Sequence, residues 1–204
     1  PLATEAFNKN MFKGLLAVTY LGHGGAKGWT QERVLQINNI LSWENGVKLP
    51  IFITATCSFS GYDNPEFTTG GEHVFLNPKG GAIALYTTVR AVYASANERL
   101  TRKSVDTLFF KLDNQIPTIG EVLRISKNKA GGNENSRKFT LLGDPSMQLA
   151  LPNFKAVTTT INGNDLATAL ADTLKALEKV TIEGEIHDDF GNLKSDFNGE
   201  VFPT

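Results

Sequence analysis

A single cysteine, Cys57, is all that the 204 residues hold, which excludes an internal disulfide and leaves the redox compartment open. No apolar run approaches the ~20 residues that span a bilayer, so no transmembrane segment is expected within this chain. Charge of neither sign dominates: 20 Lys plus Arg stand against 21 Asp plus Glu, for a formal net charge of -1. No overall field therefore favours nucleic acid or an anionic membrane. Three scattered histidines and one thiol lack zinc-ligand spacing, and no metal or cofactor is expected. A G-x-x-x-x-G-K-[ST] phosphate loop is absent. The chain opens on Pro1 instead of Met, and PLATEAFNKNMF has neither a basic n-region nor an apolar h-region. It reads as a piece of something longer, so signals missing here say little about the parent.

What is present is organised around Leu49 to Tyr62, LPIFITATCSFSGY. Leu49 to Ala55 is a short apolar run rich in β-branched residues, the pattern of a strand buried on both faces. Cys57 falls where that strand runs out. In open parallel α/β sheets the ligand crevice lies outside the carboxyl ends of the strands, so a thiol there faces solvent. Gly14 to Tyr20, GLLAVTY, is a second such run, and it gives way to Leu21-Gly22-His23-Gly24-Gly25. If the two strands are parallel neighbours, His23 and Cys57 emerge at one edge, as a thiol and its general base require.

The remaining pattern alternates helices and strands. Thr4 to Phe12 has helical spacing with Thr4 as N-cap, and Thr30 to Leu41 has the stripe of a crossover helix. A turn-rich segment follows Cys57, then a short helix through Glu72 to Leu76, then a third strand, Ala82 to Val89. Ser95 with Glu98 and Thr118 with Glu121 make capping boxes for helices reaching about Leu112 and Ala130. Lys129 to Arg137 reads as a polar loop, and Lys138 to Leu151 as strand around a Gly143-Asp144-Pro145 turn. This order requires a largely parallel sheet covered by helices. From Asn153 the pattern changes to strands at Val157 to Ile161, Val180 to His187 and Gly199 to Phe202, with turns at 162–165 and 188–192. Alternation in VTIEGEIH fits an antiparallel sheet with one wet face, and the segment is expected to begin an immunoglobulin-like sandwich that ends incomplete.

Each reactive residue has a plain alternative: Cys57 as a packed core thiol, His23 as a loop residue satisfied by backbone. Taken together they form a constellation, flanked by the small residues Gly22, Gly24, Gly25, Thr56, Ser58 and Ser60 that let a peptide approach. Cys57 is then the nucleophile, His23 the general base and acid, and the backbone N–H groups of Gly24 and Cys57 the oxyanion donors. Trp29 and Tyr62 lie in the flanking loops and are candidate groove walls. Thr88 and Arg90, at the end of the third strand, reach the same edge, Arg90 as a substrate ligand or as a brace. The Gly22 to Gly28 loop also approaches a dinucleotide fingerprint, but its third glycine falls one place late and no ribose-binding acid ends the second strand. His73 and His187 read as packing and turn residues.

With these residues quoted, the chain resembles the gingipain-type, caspase-like cysteine peptidases, and among them the sortases of type IX secretion. The segments that carry the likeness are Tyr20 to Gly25, Leu49 to Phe59, Gly80 to Leu85 leading to Thr88-Val89-Arg90, and Leu141 to Pro145. The resemblance implies a caspase-like, mostly parallel α/β domain in residues 1–152, incomplete on its N-terminal side, and an immunoglobulin-like module from 153 to 204. It implies His23 and Cys57 as the dyad of a surface or outer-membrane-associated enzyme. Such an enzyme removes C-terminal signal domains from secreted polypeptides through a thioester, passing the acyl group to water or to a lipopolysaccharide-linked amine. Other type IX secretion components are implied partners. The Q-A-C-x-G caspase motif is absent, which argues against caspase-style aspartate specificity, and no acidic residue is assigned to orient His23. The alternative is a surface module that keeps this fold without the chemistry.

Overall fold

The computed structural model describes residues 2–30, 32–110, 112, 115–151, 154–168 and 173–200. In chain order they form α1 (Leu2–Lys13), β1 (Ala17–Leu21), β2 (Gly24–Gly25), β3 (Gly28–Trp29), β4 (Leu35–Gln36), α2 (Ile37–Leu41), β5 (Ile51–Ala55), α3 (Gly70–Leu76) and β6 (Ala84–Thr88). Then come α4 (Ala94–Leu108), α5 (Ile119–Lys129), α6 (Glu134–Arg137), β7 (Phe139–Leu142), β8 (Phe154–Ile161), β9 (Asn164–Asp165) and β10 (Ile182–Asp188). The chain divides into two units, Pro1–Leu149 and Ala150–Thr204. The expected boundary residues, Pro152 and Asn153, lie outside the described residues.

The first unit is built on a four-stranded sheet in the order β1-β5-β6-β7. β1, β5 and β6 are parallel, and β7 pairs antiparallel with β6. Every side chain of β5 and β6 is buried, as expected for central strands covered on both faces. An aromatic cluster fills one side of the core. Phe52 of β5 packs among Trp29, Trp43 and Phe7, at ring separations of 6.0, 6.0 and 6.4 Å. Trp43 keeps its indole N–H satisfied by Asn8 Oδ1, at 2.9 Å, as a buried indole should.

Several local expectations are met in detail. Thr118 Oγ1 accepts from Glu121 N–H at 3.2 Å while the Glu121 carboxylate accepts from Thr118 N–H, so α5 starts on a reciprocal cap. At the start of α3 the Glu72 carboxylate accepts from Thr69 N–H at 2.8 Å and from the Thr69 hydroxyl at 2.7 Å.

Others are corrected. The stripe from Thr30 to Leu41 is not one helix: Thr30 and Arg33 take φ of 59° and 58°, which a right-handed helix cannot hold. Instead β2, β3 and β4 form a small antiparallel sheet, and only Ile37–Leu41 is helical. α4 begins at Ala94 with Tyr93 as N-cap, so Ser95 sits inside the helix and Glu98 pairs with Arg102 at 2.6 Å. Thr4 likewise lies within α1, its hydroxyl donating to Val34 O at 3.0 Å. The polar loop contains α6, which buries Asn135 and Ser136.

In the second unit β10 pairs antiparallel with β8, and β9 pairs with β8 on the other side. The turn after β10 is held by Asp188 Oδ1, which accepts from the N–H groups of Phe190 and Asn192, each at 2.9 Å. Residues 199 and 200 are not in a strand, and 201 and 202 of the expected third strand lie outside the described residues.

Candidate active site

Cys57 and His23 owe their placement to strand register. β1 and β5 pair in parallel from Ala17 with Ile51 through Leu21 with Ala55. Gly22 N–H continues the ladder to Ala55 O at 3.4 Å. His23 and Cys57 each lie two positions past the Leu21–Ala55 pair, and neighbouring strands run about 4.8 Å apart. The two residues therefore leave the sheet together, at its carboxyl edge.

The His23 loop is a tight hairpin. Thr30 N–H donates to His23 O at 2.9 Å, so Gly24 and Trp29 face each other at a non-hydrogen-bonded position of the β2–β3 ladder. The Gly24 N–H thus points away from β3. A Cβ on Gly24 would lie 2.5 Å from Thr56 Oγ1 and 2.8 Å from Gly28 O; only glycine lets the hairpin approach the end of β5 so closely. Beneath it, the Tyr20 hydroxyl donates to His23 O at 2.6 Å, and the Tyr20 ring stacks on Trp29 at 4.2 Å with planes 4° apart. Burial, followed by the nearby Glu32 carboxylate, raises the Tyr20 pKa, keeping this hydroxyl a donor. Among the described residues no carboxylate hydrogen-bonds to the His23 ring.

The cysteine side is laced to the end of β6. Cys57 is half-buried, with Sγ 3.7 Å from Val92 O. The next residue, Ser58, takes φ of 50°, an uncommon conformation for a side-chain-bearing residue. Ser58 N–H donates to Arg90 O at 3.1 Å and Ser60 N–H to Thr88 O at 2.9 Å. These bonds clamp the turn after Cys57, while the Cys57 N–H itself donates to no backbone acceptor among the described residues.

Of the other candidates, Trp29 is 3% exposed and belongs to the core cluster. Its ring stacks on Tyr20 and packs on Phe52, so it backs the His23 hairpin, and it also lines the cavity that opens there. Thr88 is fully buried and its hydroxyl donates to Thr56 O; it braces the strand end and has no surface to offer a substrate. Arg90 donates through both terminal nitrogens to the Asp63 carboxylate, Nη1 to Oδ1 at 2.9 Å. Of its two expected roles the contacts support the brace. That bond holds the Asp63 pKa below the usual carboxylate value. Tyr62 is 52% exposed and remains free to meet a ligand. His73 lies in α3, and His187 pairs with Glu185 at 2.8 Å in the second unit. Among the described residues no group of His, Cys, Asp and Glu is arranged to hold a metal ion.

A cavity of about 1100 Å³ opens on the hairpin, lined by Tyr20, His23, Gly24, Lys27 and Arg33 among others. Tyr20 and Asp63 escaped the sequence reading. The first was legible only as three residues before His23, and the second carries no local signal because its partner is 27 residues away.

Against known proteins, the sequence profile of peptidase family C25 matches residues 1–150. The chain belongs to peptidase family C25. No curated protein matches it in sequence. In structure it is similar to the Arg-specific cysteine proteinase gingipain R (RgpB), with TM-score 0.63 at 18% identity, covering 76% of this chain and 39% of that one. It is also similar to the complex of Porphyromonas gingivalis RgpB pro- and mature domains, with TM-score 0.60, 14% identity, and coverages of 76% and 40%. A third structure, described as a protease, gives TM-score 0.62 at 16% identity, with coverages of 91% and 46%. The C25 chain spans less than half the length of each of these structures.

Proposed function

We propose that this C25 chain carries the nucleophile and base of a thiol peptidase, with Cys57 and His23 as the pair. The observation that carries the reading is the parallel β1–β5 register, which sends both residues off the same sheet edge at equal distance from their last paired neighbours. His23 takes the Cys57 proton, and the thiolate sulfur attacks the scissile carbonyl carbon. The oxyanion meets the N–H groups of Gly24 and Cys57, both left unpaired by the backbone geometry described above. Collapse breaks the C–N bond, with His23 returning the proton to the leaving amine and leaving a Cys57 thioester. Water or an amine then attacks the thioester and releases the thiol. Tyr62 is the wall residue with exposed surface at this edge.

The finer reading is a PorU-type sortase of type IX secretion at the cell surface. Its substrates are secreted polypeptides bearing C-terminal signal domains, and its acceptors are water or a lipopolysaccharide-linked amine. The second unit is the start of an immunoglobulin-like module. Support for the sortase lies in the motifs shared with that subgroup, from Tyr20 to Gly25 and from Leu49 to Phe59.

The test replaces Cys57 by Ala in the full-length parent and follows secreted cargo by mass spectrometry. Retention of the C-terminal signal domain at normal protein abundance supports the sortase. Normal processing removes it, and slow alkylation of Cys57 at neutral pH, the behaviour of a packed thiol, leaves the non-catalytic surface module.

A further inference from the structure

The carbonyl of Ala55, two residues before Cys57, receives two donors. One is Gly22 N–H at 3.4 Å, from the strand that leads to His23. The other is Nδ2 of Asn97 at 3.3 Å, from the first turn of α4. The same Asn97 accepts through Oδ1 from Asn135 Nδ2 at 3.0 Å, and Asn135 Oδ1 accepts from Tyr93 N–H at 2.8 Å. Both amides are buried, 4% and 5% exposed. Each bond fixes the orientation of the next amide, because a primary amide has one donor end and one acceptor end.

The path closes a loop around the thiol. It starts at the end of β5, crosses α4 and α6, and ends at Tyr93, the neighbour of Val92, whose carbonyl lies 3.7 Å from Cys57 Sγ. Val92 also packs on the cluster of Ala55, Leu100, Ala130 and Phe139. A helix start leaves four N–H groups without an intrahelical acceptor, one of which the cap side chain usually satisfies. Here Tyr93 makes no side-chain cap, and two buried amides run in series from the helix start to the strand that delivers the cysteine. Two buried amides are costly unless every end is paired, and these are paired to the backbone on both sides of Cys57.

We infer that Asn97 and Asn135 are positioning residues for the Cys57–His23 chemistry: they set the Ala55 and Val92 carbonyls, and with them the place of Sγ relative to the His23 loop. The inference rests on the peptidase reading above. Neither amide touches substrate, and both act through the backbone.

The test uses the full-length parent with Asn135→Ala, Asn135→Asp and, as control, Ser126→Ala. Asn135→Asp keeps the shape and the acceptor for Tyr93 N–H but presents an acceptor where Asn97 Oδ1 needs a donor. Ser126 is equally buried, and its hydroxyl donates to Val122 O within α5 at 2.6 Å and to Lys103 O of α4 at 3.1 Å, away from the amide path. For each variant kcat and KM on a fluorogenic peptide, the Cys57 alkylation rate with iodoacetamide, and Tm are measured. Both Asn135 variants are expected to lower kcat and alkylation roughly 10- to 100-fold, with KM changed by less than about twofold. Ser126→Ala lowers Tm and leaves kcat unchanged. An unchanged kcat in Asn135→Asp overturns the inference, as does an equal kcat loss in Ser126→Ala or failure of both Asn135 variants to fold. A parent that cleaves no peptide, with Cys57 alkylated no faster than free cysteine, removes the peptidase reading and this inference with it. An active parent with unaffected variants removes the inference alone.

Discussion

Replacing Gly24 by alanine tests a close approach between the His23 hairpin and the end of β5. The added methyl would meet Thr56 Oγ1 at 2.5 Å and Gly28 O at 2.8 Å, where ordinary contact begins at 3.4 Å. The hairpin must therefore retreat from Thr56 by roughly 0.9 Å and its two strands must part by roughly 0.6 Å, and such overpacking costs about 1–3 kcal/mol. Gly28 O is backbone in the same two-strand turn and cannot swing aside. The displaced segment carries the His23 ring and the Gly24 N–H, and loss of one oxyanion donor costs about 100- to 1000-fold in kcat. The assay is thermal melting of the full-length parent beside peptide hydrolysis. A lowered Tm together with a kcat loss of at least about tenfold is expected. Thr56→Ala, added to Gly24→Ala, should recover part of both, since Thr56 Oγ1 has no hydrogen-bond partner to lose. A Gly24→Ala protein with wild-type Tm and wild-type kcat would refute the described hairpin geometry and the role given to Gly24 together.

Tyr20→Phe removes the donor to His23 O while keeping the stack on Trp29, so a stability loss of about 0.5–1.5 kcal/mol and a lower kcat are expected; an unchanged kcat would separate the His23 loop from Tyr20. The Tyr20 pKa is raised, so its contribution is fully present below about pH 10 and lost as pH rises through the folded value; alkaline melting of wild type against Tyr20→Phe should converge there. Asp63 is shifted the other way by Arg90: its contribution is present above the unfolded carboxylate value and lost as pH falls through the lower folded value. Asp63→Asn should therefore differ from wild type in Tm at pH 7 and match it in strong acid, and an acid-independent difference would rule out the ion pair as cause. Phe52→Ala empties the centre of the aromatic cluster and should cost about 3–5 kcal/mol, read from denaturant unfolding.

The sheet was legible because β5 and β6 are short, wholly apolar or β-branched and bounded by turns, which leaves one reading of their period. The positions of His23 and Cys57 followed from where those runs stop. The β2–β3–β4 sheet was not legible, because its two-residue strands are too short to show any alternation and its apolar residues happen to fall at helical spacing. What breaks the helix there is positive φ at Thr30 and Arg33, residues with no turn signature. The loop position of Trp29 suggested a groove wall but not its second role, because only tertiary packing shows that its ring also belongs to the core beneath the hairpin. Asn135 was hidden for the opposite reason: KAGGNENSR has the composition of a solvated loop, and only contacts 38 and 42 residues away show that its amide is buried. The start of α4 was missed because its N-cap partner comes from that distant amide, while the local Ser95–Glu98 pattern mimics a cap.

The equal overhang of the two parallel strands also limits how this chain can change in length. One residue gained or lost between Leu21 and His23, or between Ala55 and Cys57, slides the reactive side chain by about 3.3 Å and turns it to the opposite face. No single insertion at either place is neutral, and a compensating one would have to occur in the other strand at the same time. Residues 62–68, exposed throughout, carry no such constraint, and lengthening the chain there leaves the phase of both strands untouched.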